Sequence, residues 1–187
     1  MFAALVPPPE AIEHLDAFLD VRRDQGDLRW SAADQVHLTL AFLAEVPERS
    51  VDELLEGLER AARKRTAFAT SIAGGGAFPD AARARVVWAA LDLDEPAGTE
   101  LDRLAAGARA AAGRAGIVVD GTRFRPHLTL ARTRHPHDVS HWLEVLDAYR
   151  GPEWTADELT LVRSHLGEGP RGRPRHEVVE TFALGQP

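Results

Sequence analysis

The chain has 187 residues, 44% of them hydrophobic and 27% charged, with a net charge of -7. This composition fits a folded globular protein and excludes a disordered one. The negative charge argues against a general nucleic-acid coat, which must neutralise phosphates over a large surface, but leaves room for a local basic site. The absence of cysteine excludes disulfides, thiolate nucleophiles and cysteine-based metal centres.

The opening "MFAALVPPPE" lacks the basic start of a signal peptide, and its apolar run is cut by three prolines. No apolar run reaches the length of a membrane span, so a cytoplasmic protein without a membrane partner is expected. Phe2 to Val6 reads as a strand, and Ile12, Leu15, Phe18 and Leu19 recur at helical spacing after Pro9. Gln35 to Leu43 is strand-like. "SVDE" at Ser50 to Glu53 has the form of a capping box before a helix that carries Leu54, Leu55, Leu58, Ala61 and Ala62 on one side. Phe68 to Ile72 predicts a strand stopped by Gly74, Gly75 and Gly76, and Val86 to Leu93 predicts another. An alanine-rich helix spans Pro96 to Ala115, with a short strand near Ile117 to Val119. A helix around Asp138 to Tyr149 buries Trp142, Val145, Leu146 and Tyr149. Glu158 to Ser164 and Glu177 to Leu184 complete the pattern as strands, with the "GEGPRGRP" loop between them. The order is α+β, repeated over about half the chain, and predicts two lobes within one domain, 1–187.

One segment stands out. His-Leu-Thr-Leu occurs at His37 to Leu40 and again at His127 to Leu130. A strand sends alternate side chains to opposite faces. Leu38, Leu40, Leu128 and Leu130 would therefore anchor two strands in a core, while His37, Thr39, His127 and Thr129 face the other way. Placed side by side, the strands would line one cleft with two imidazoles and two hydroxyls. Imidazole is the side chain that titrates near neutrality. One neutral and one protonated ring can act as base and acid at a phosphodiester, each transfer contributing roughly 10²–10⁴-fold in rate. The surrounding charge agrees. Gly121 to His137 holds Arg123, Arg125, Arg132 and Arg134 and no acid, while Arg163 to His176 holds four arginines against Glu168. Guanidinium groups match phosphate geometry, so an anionic substrate is expected.

These residues resemble a known family. The paired motifs, with "MFAALVPPP", "RWSAADQVHLTLAFLAEV", "GGGAFPDAARARVVWAAL", "RFRPHLTLAR" and "ELTLVRSHL", are similar to the two-histidine (2H) phosphoesterases. Within them the match is to the LigT-like RNA 2′,3′-cyclic phosphodiesterases, also called RNA 2′,5′-ligases. The resemblance implies a bilobal α+β fold, two lobes of antiparallel sheet with outer helices related by a pseudo-twofold axis around a central cleft. It implies metal-independent opening of a 2′,3′-cyclic phosphate to a 2′-phosphate, with no cofactor. His37 would give a proton to the departing 3′-oxygen, His127 would activate water, and Thr39, Thr129 and Arg132 would hold the phosphate. Some relatives also run the reverse 2′,5′ ligation. The expected partners are RNA with cyclic phosphate ends, such as tRNA fragments or oligonucleotides, or small cyclic nucleotides, acted on by a monomer. Ala41, Ala44 and His176 depart from the family pattern and put substrate preference in question.

Two details resist the motif reading. Strict alternation puts Arg132 on the face opposite His127, so the strand must end or bend before it, while Arg125 is in phase but precedes Pro126. Phe42 and Phe78 are expected to pack in the core, with stacking on a base the lesser alternative. A non-catalytic binder of phosphorylated ends would use the same pocket, though it has no need of an acid and a base. His137 and His141, four apart, could share a helix face as metal ligands, but no carboxylate motif completes a site. His14 is expected to be solvated. His165 and His176, beside the Gly167 to Pro174 loop, are left open between contact with RNA and no role.

Overall fold

Strand-length apolar alternation and helical periodicity together build an α+β fold, described here by a computed structural model that covers residues 1–23, 28–119, 121 and 123–185. The described strands are β1 (Phe2–Leu5), β2 (Arg29–Trp30), β3 (Leu38–Phe42), β4 (Phe68–Phe78), β5 (Ala84–Asp92), β6 (Leu128–His137), β7 (Arg150–Ala156), β8 (Glu158–His165) and β9 (Arg175–Ala183). The helices are α1 (Pro9–Asp20), α2 (Val51–Ala62), α3 (Glu95–Arg114) and α4 (Ser140–Asp147).

The strands pair in the order β7-β4-β5-β6-β3-β1-β8-β9, with β2 added on β6, and every pairing among them is antiparallel. The middle of this sheet is a single register pair, Leu38↔Leu128. Four strands lie on each side of it: β3, β1, β8 and β9 in one lobe, β6, β5, β4 and β7 in the other. Beyond that pair β6 bonds instead to β2, through Arg29↔Arg132 and Trp30↔Ala131. The two central strands thus touch at one point and leave a cleft between the lobes.

The lobes are not the two halves of the chain. The last two strands of the first half, β4 and β5, lie in the second lobe, where β5 pairs with β6, and β8 returns to pair with β1 in the first. Helices exchange in the same way. α1 lies against β7 and β4, whereas α3 lies against β3 and α2. Each half therefore covers part of the other, and one continuous core joins them. Leu38, Leu40, Leu128 and Leu130 are at most 2% exposed within it, packed with Leu54, Leu58, Leu101 and Leu104.

Several sequence expectations change. β4 runs straight through the glycines that were expected to stop it, because neighbours occupy the space of their side chains. A Cβ at Gly76 would lie 2.2 Å from the Trp88 ring, and one at Gly75 2.6 Å from Leu146. The capping box does not close: Ser50 ends a 3₁₀ turn, Glu48–Ser50, in helical conformation and makes no side-chain cap. Ile117 to Val119 forms only an isolated bridge, Leu43↔Val119. β2 and β7 were not anticipated. β2 is two residues long, and β7 is an edge strand containing Gly151 and Pro152, which edges tolerate. Among the described residues no helix is long and apolar enough to cross a membrane.

Candidate active site

His37 and His127 each stand one residue before their strand begins. Each turns its Nδ1 back to the carbonyl two residues earlier: His37 to Gln35 at 2.8 Å and His127 to Arg125 at 2.7 Å. A carbonyl only accepts, so Nδ1 carries the hydrogen and donates. In the neutral ring this leaves Nε2 with its lone pair available. The two rings are held in the same tautomer by the same local device.

Each strand then buries its two leucines and breaks alternation at the same place. On β3 both Leu40 and Ala41 are buried, and the register with β1 slips between Ala3↔Ala41 and Ala4↔Thr39. On β6 both Leu130 and Ala131 are buried, and the register with β5 slips between Val87↔Ala131 and Trp88↔Thr129. One extra residue in a ladder is a β-bulge, and it shifts every later side chain to the other face. The bulge returns Arg132 to the face of His127 and Thr129, which resolves the phase conflict in the sequence. It gives Phe42 the equivalent position on β3. There Phe42 is 55% exposed, contrary to the expected core packing, because it is paired with Phe2 on the cleft face.

The resulting cleft has a volume of about 670 Å³ and is lined by His37, Thr39, His127, Thr129 and Arg132 together with residues to which the sequence assigned no definite place in it. Arg29, Trp30 and Ser31 come from β2 and its end, and Ser31 Oγ donates to the Thr129 carbonyl at 3.1 Å. Gln35 donates from Nε2 to the Pro174 carbonyl at 2.6 Å, which ties the Gly167 to Pro174 loop beside the cleft and brings Arg173 and His176 to its wall. The signal for these residues was weak, since each depends on a pairing far along the chain. Arg125 contributes its carbonyl to His127, and its exposed side chain does not line the cleft. His165 is drawn away, hydrogen-bonded to Glu177 at 2.7 Å.

The two imidazoles differ in surroundings. His37 stacks on Phe2 with ring centroids 4.4 Å apart and an interplanar angle of 16°. His176 packs edge-on against both, 5.4 Å from His37 and 5.1 Å from Phe2. Burial, opposed by the bond to Gln35 and aided by the charges of His176 and His127, pushes the His37 pKa down to about 4. Burial also lowers that of His176. His127 instead meets Phe78 edge-on at 5.0 Å and Trp88 at 6.2 Å. Phe78 therefore supports a site residue rather than only filling the core.

His137 and His141 do not share a helix: His137 ends β6 and His141 lies in α4. Among the described residues no group of three or more His, Asp and Glu is placed to hold a metal ion. His14 bonds through Nδ1 with the Tyr149 hydroxyl at 2.9 Å and does not line the cleft. The cleft set can take a proton with one imidazole, give one with the other, and hold an anion with two hydroxyls and a guanidinium.

Comparison with known proteins points to one group. A sequence model of the 2′-5′ RNA ligase superfamily matches residues 7–168. The RNA 2′,3′-cyclic phosphodiesterase of Thermus thermophilus is 35% identical over 156 residues, 80% of this chain and 72% of that protein. The protein of the same name from Aquifex aeolicus is 30% identical over 158 residues, 84% of this chain and 82% of that one. The structure of Escherichia coli LigT complexed with 3′-AMP superposes with a TM-score of 0.78 at 28% identity, covering 99% of this chain and 97% of that one.

Proposed function

The chain belongs to the 2′-5′ RNA ligase superfamily, and we propose that its cleft opens RNA 2′,3′-cyclic phosphate ends to 2′-phosphates with His37 and His127 as the proton-transfer pair. The relatives named above carry the cyclic phosphodiesterase activity. The observation that supports assigning it to these two residues is their matched presentation. Two imidazoles from different lobes, each with Nδ1 bonded to its own backbone, line one cleft with Thr39, Thr129 and Arg132.

The step balances without any further reactant. Water attacks phosphorus as Nε2 of His127 takes its proton. The bond from phosphorus to the 3′-oxygen breaks, and that oxygen receives the proton on Nε2 of His37. The product is a 2′-phosphate beside a free 3′-hydroxyl, and the two rings exchange protons with solvent to reset. Thr39 and Thr129 donate to the non-bridging oxygens, and Arg132 offsets the charge that develops there. In the free protein burial keeps His37 neutral at pH 7. Its acid role therefore requires the anionic phosphate to draw a proton onto it, which is the charge-pairing effect working against desolvation. With a 5′-hydroxyl in place of water as the nucleophile, the same pair would instead open the cyclic phosphate into a 2′,5′ phosphodiester, the 3′-oxygen leaving with the proton from His37. The chemical class of partner is a nucleotide or RNA end carrying a cyclic phosphate.

Replacing either histidine by alanine is expected to lower kcat by roughly 10²–10⁴-fold on a defined cyclic-ended RNA. Bridging sulfur in place of the 3′-oxygen makes a leaving group that needs no proton. Turnover of that substrate should be restored in His37→Ala and not in His127→Ala. Restoration in the opposite variant would reverse the two roles, and unchanged turnover in both would leave a binding protein.

A further inference from the structure

Arg29 and Arg132 are directly opposed across the β2–β6 ladder. Like charges at opposed positions are unfavourable in a sheet, and neither arginine has an ion-pair or hydrogen-bond partner among the described residues. Arg29 is also shared between two depressions. One is the histidine cleft. The other, of about 580 Å³, adjoins it across Leu28 and Arg29 and is lined further by Arg134, His135 and His137 from the exposed end of β6. Among the described residues no carboxylate lines either of them. Three other depressions on this protein of net charge -7 each include one, such as Asp157, Asp16 or Glu95. Among the described residues, positive charge without a lining carboxylate thus marks these two adjoining hollows, with the opposed arginine pair at their junction.

We propose that the second hollow is a subsite for the phosphodiester that precedes the reacting one, so that the substrate is an RNA chain of two or more nucleotides and not a free cyclic mononucleotide. This rests on the reading of the cleft as the cyclic phosphodiesterase site. Arg132 faces the phosphate under attack, Arg29 stands between the two anions, and Arg134 with His135 holds the neighbouring one. A second anion relieves the repulsion of the Arg29–Arg132 pair, which a mononucleotide does only in part.

The test compares 2′,3′-cyclic AMP with the dinucleotide ApA ending in the same cyclic phosphate, on the wild-type chain and on Arg134→Glu. Arg134 is exposed and bonded to nothing among the described residues, so folding should persist, and circular dichroism checks it. One charge-assisted phosphate contact is worth about tenfold in affinity. Wild-type kcat/KM for the dinucleotide should exceed that for the mononucleotide by about that factor at low salt. The gap should narrow as salt rises, and Arg134→Glu should collapse the ratio mainly through KM. A ratio near one in the wild type, or a ratio that Arg134→Glu leaves unchanged, overturns the subsite. If no cyclic substrate is turned over, the catalytic reading fails by itself. Fluorescence anisotropy with the labelled 2′-phosphate-ended dinucleotide and mononucleotide then still decides the subsite. Tighter binding of the dinucleotide that is lost in Arg134→Glu upholds it, and equal binding refutes it.

Discussion

The strand of Leu38–Phe42 and the first half of Leu128–His137 carry the same four-residue motif, the same backbone anchor for the histidine and the same bulge. They then diverge. One ends in Phe42 and places its imidazole flat on Phe2. The other ends in Arg132 and leaves its imidazole edge-on to Phe78 and Trp88. The position of Ala4 beside Thr39 is taken in the second lobe by Trp88 beside Thr129. The duplicated motif thus supplies matched geometry, and its unmatched neighbours give the two imidazoles different surroundings, burying His37 against Phe2 and His176 and leaving His127 edge-on to Phe78 and Trp88.

That comparison can be broken at the phosphate grip first. Thr39→Val and Thr129→Val each remove one hydroxyl donor to an anion, a loss of about 1.5–3 kcal/mol, or roughly 10–100-fold in kcat/KM. Equal losses mean that both lobes hold the phosphate alike; a loss confined to one lobe means that the symmetry ends at the backbone. A smaller effect separates the histidines. Phe2→Leu keeps an apolar side chain but opens the face of His37 to water. Less desolvation raises its pKa from about 4 toward the ordinary 6.5. The limb of the kcat/KM profile that reports His37, expected near 4 in the wild type, should move to higher pH, while Phe78→Leu beside His127 should leave that limb in place. A limb that stays put in Phe2→Leu would detach it from His37.

The smallest effect concerns stability. His37 binds its proton less well folded than unfolded, so the unfolded chain carries more protons between pH 6.5 and about 4. Stability from this residue is present above pH 6.5 and is lost as pH falls through that window. His37→Gln should flatten the decline in Tm across it, by an amount worth about 1–3 kcal/mol. The corresponding change at His127 is the control that keeps the comparison intact.

Much of the site was readable in advance because it depends on local periodicity. Alternation within His-Leu-Thr-Leu separates anchoring leucines from presented polar groups, and two copies in one chain imply one shared purpose. The arginine surplus from Gly121 to His137 was likewise visible as composition. Other elements were hidden because nothing local encodes them. Arg29 and Trp30 become part of the cleft only because β2 finds the edge that β6 leaves free. His176 enters it from β9, held beside the site by the bond from Gln35 to Pro174 across the sheet. The three glycines read as a stop until the Trp88 ring is seen lying on Gly76.

The sequence by itself determined the α+β pattern, the two histidine–threonine pairs and the sign of the charge around the second pair, since each follows from residue types at fixed short spacing. Only the tertiary structure decided that Arg132 shares a face with His127, that Phe42 is exposed, and that one imidazole is held neutral by burial. Those outcomes depend on ladder register and on which side chain lies across from which, and register is chosen by contacts between residues far apart in the chain.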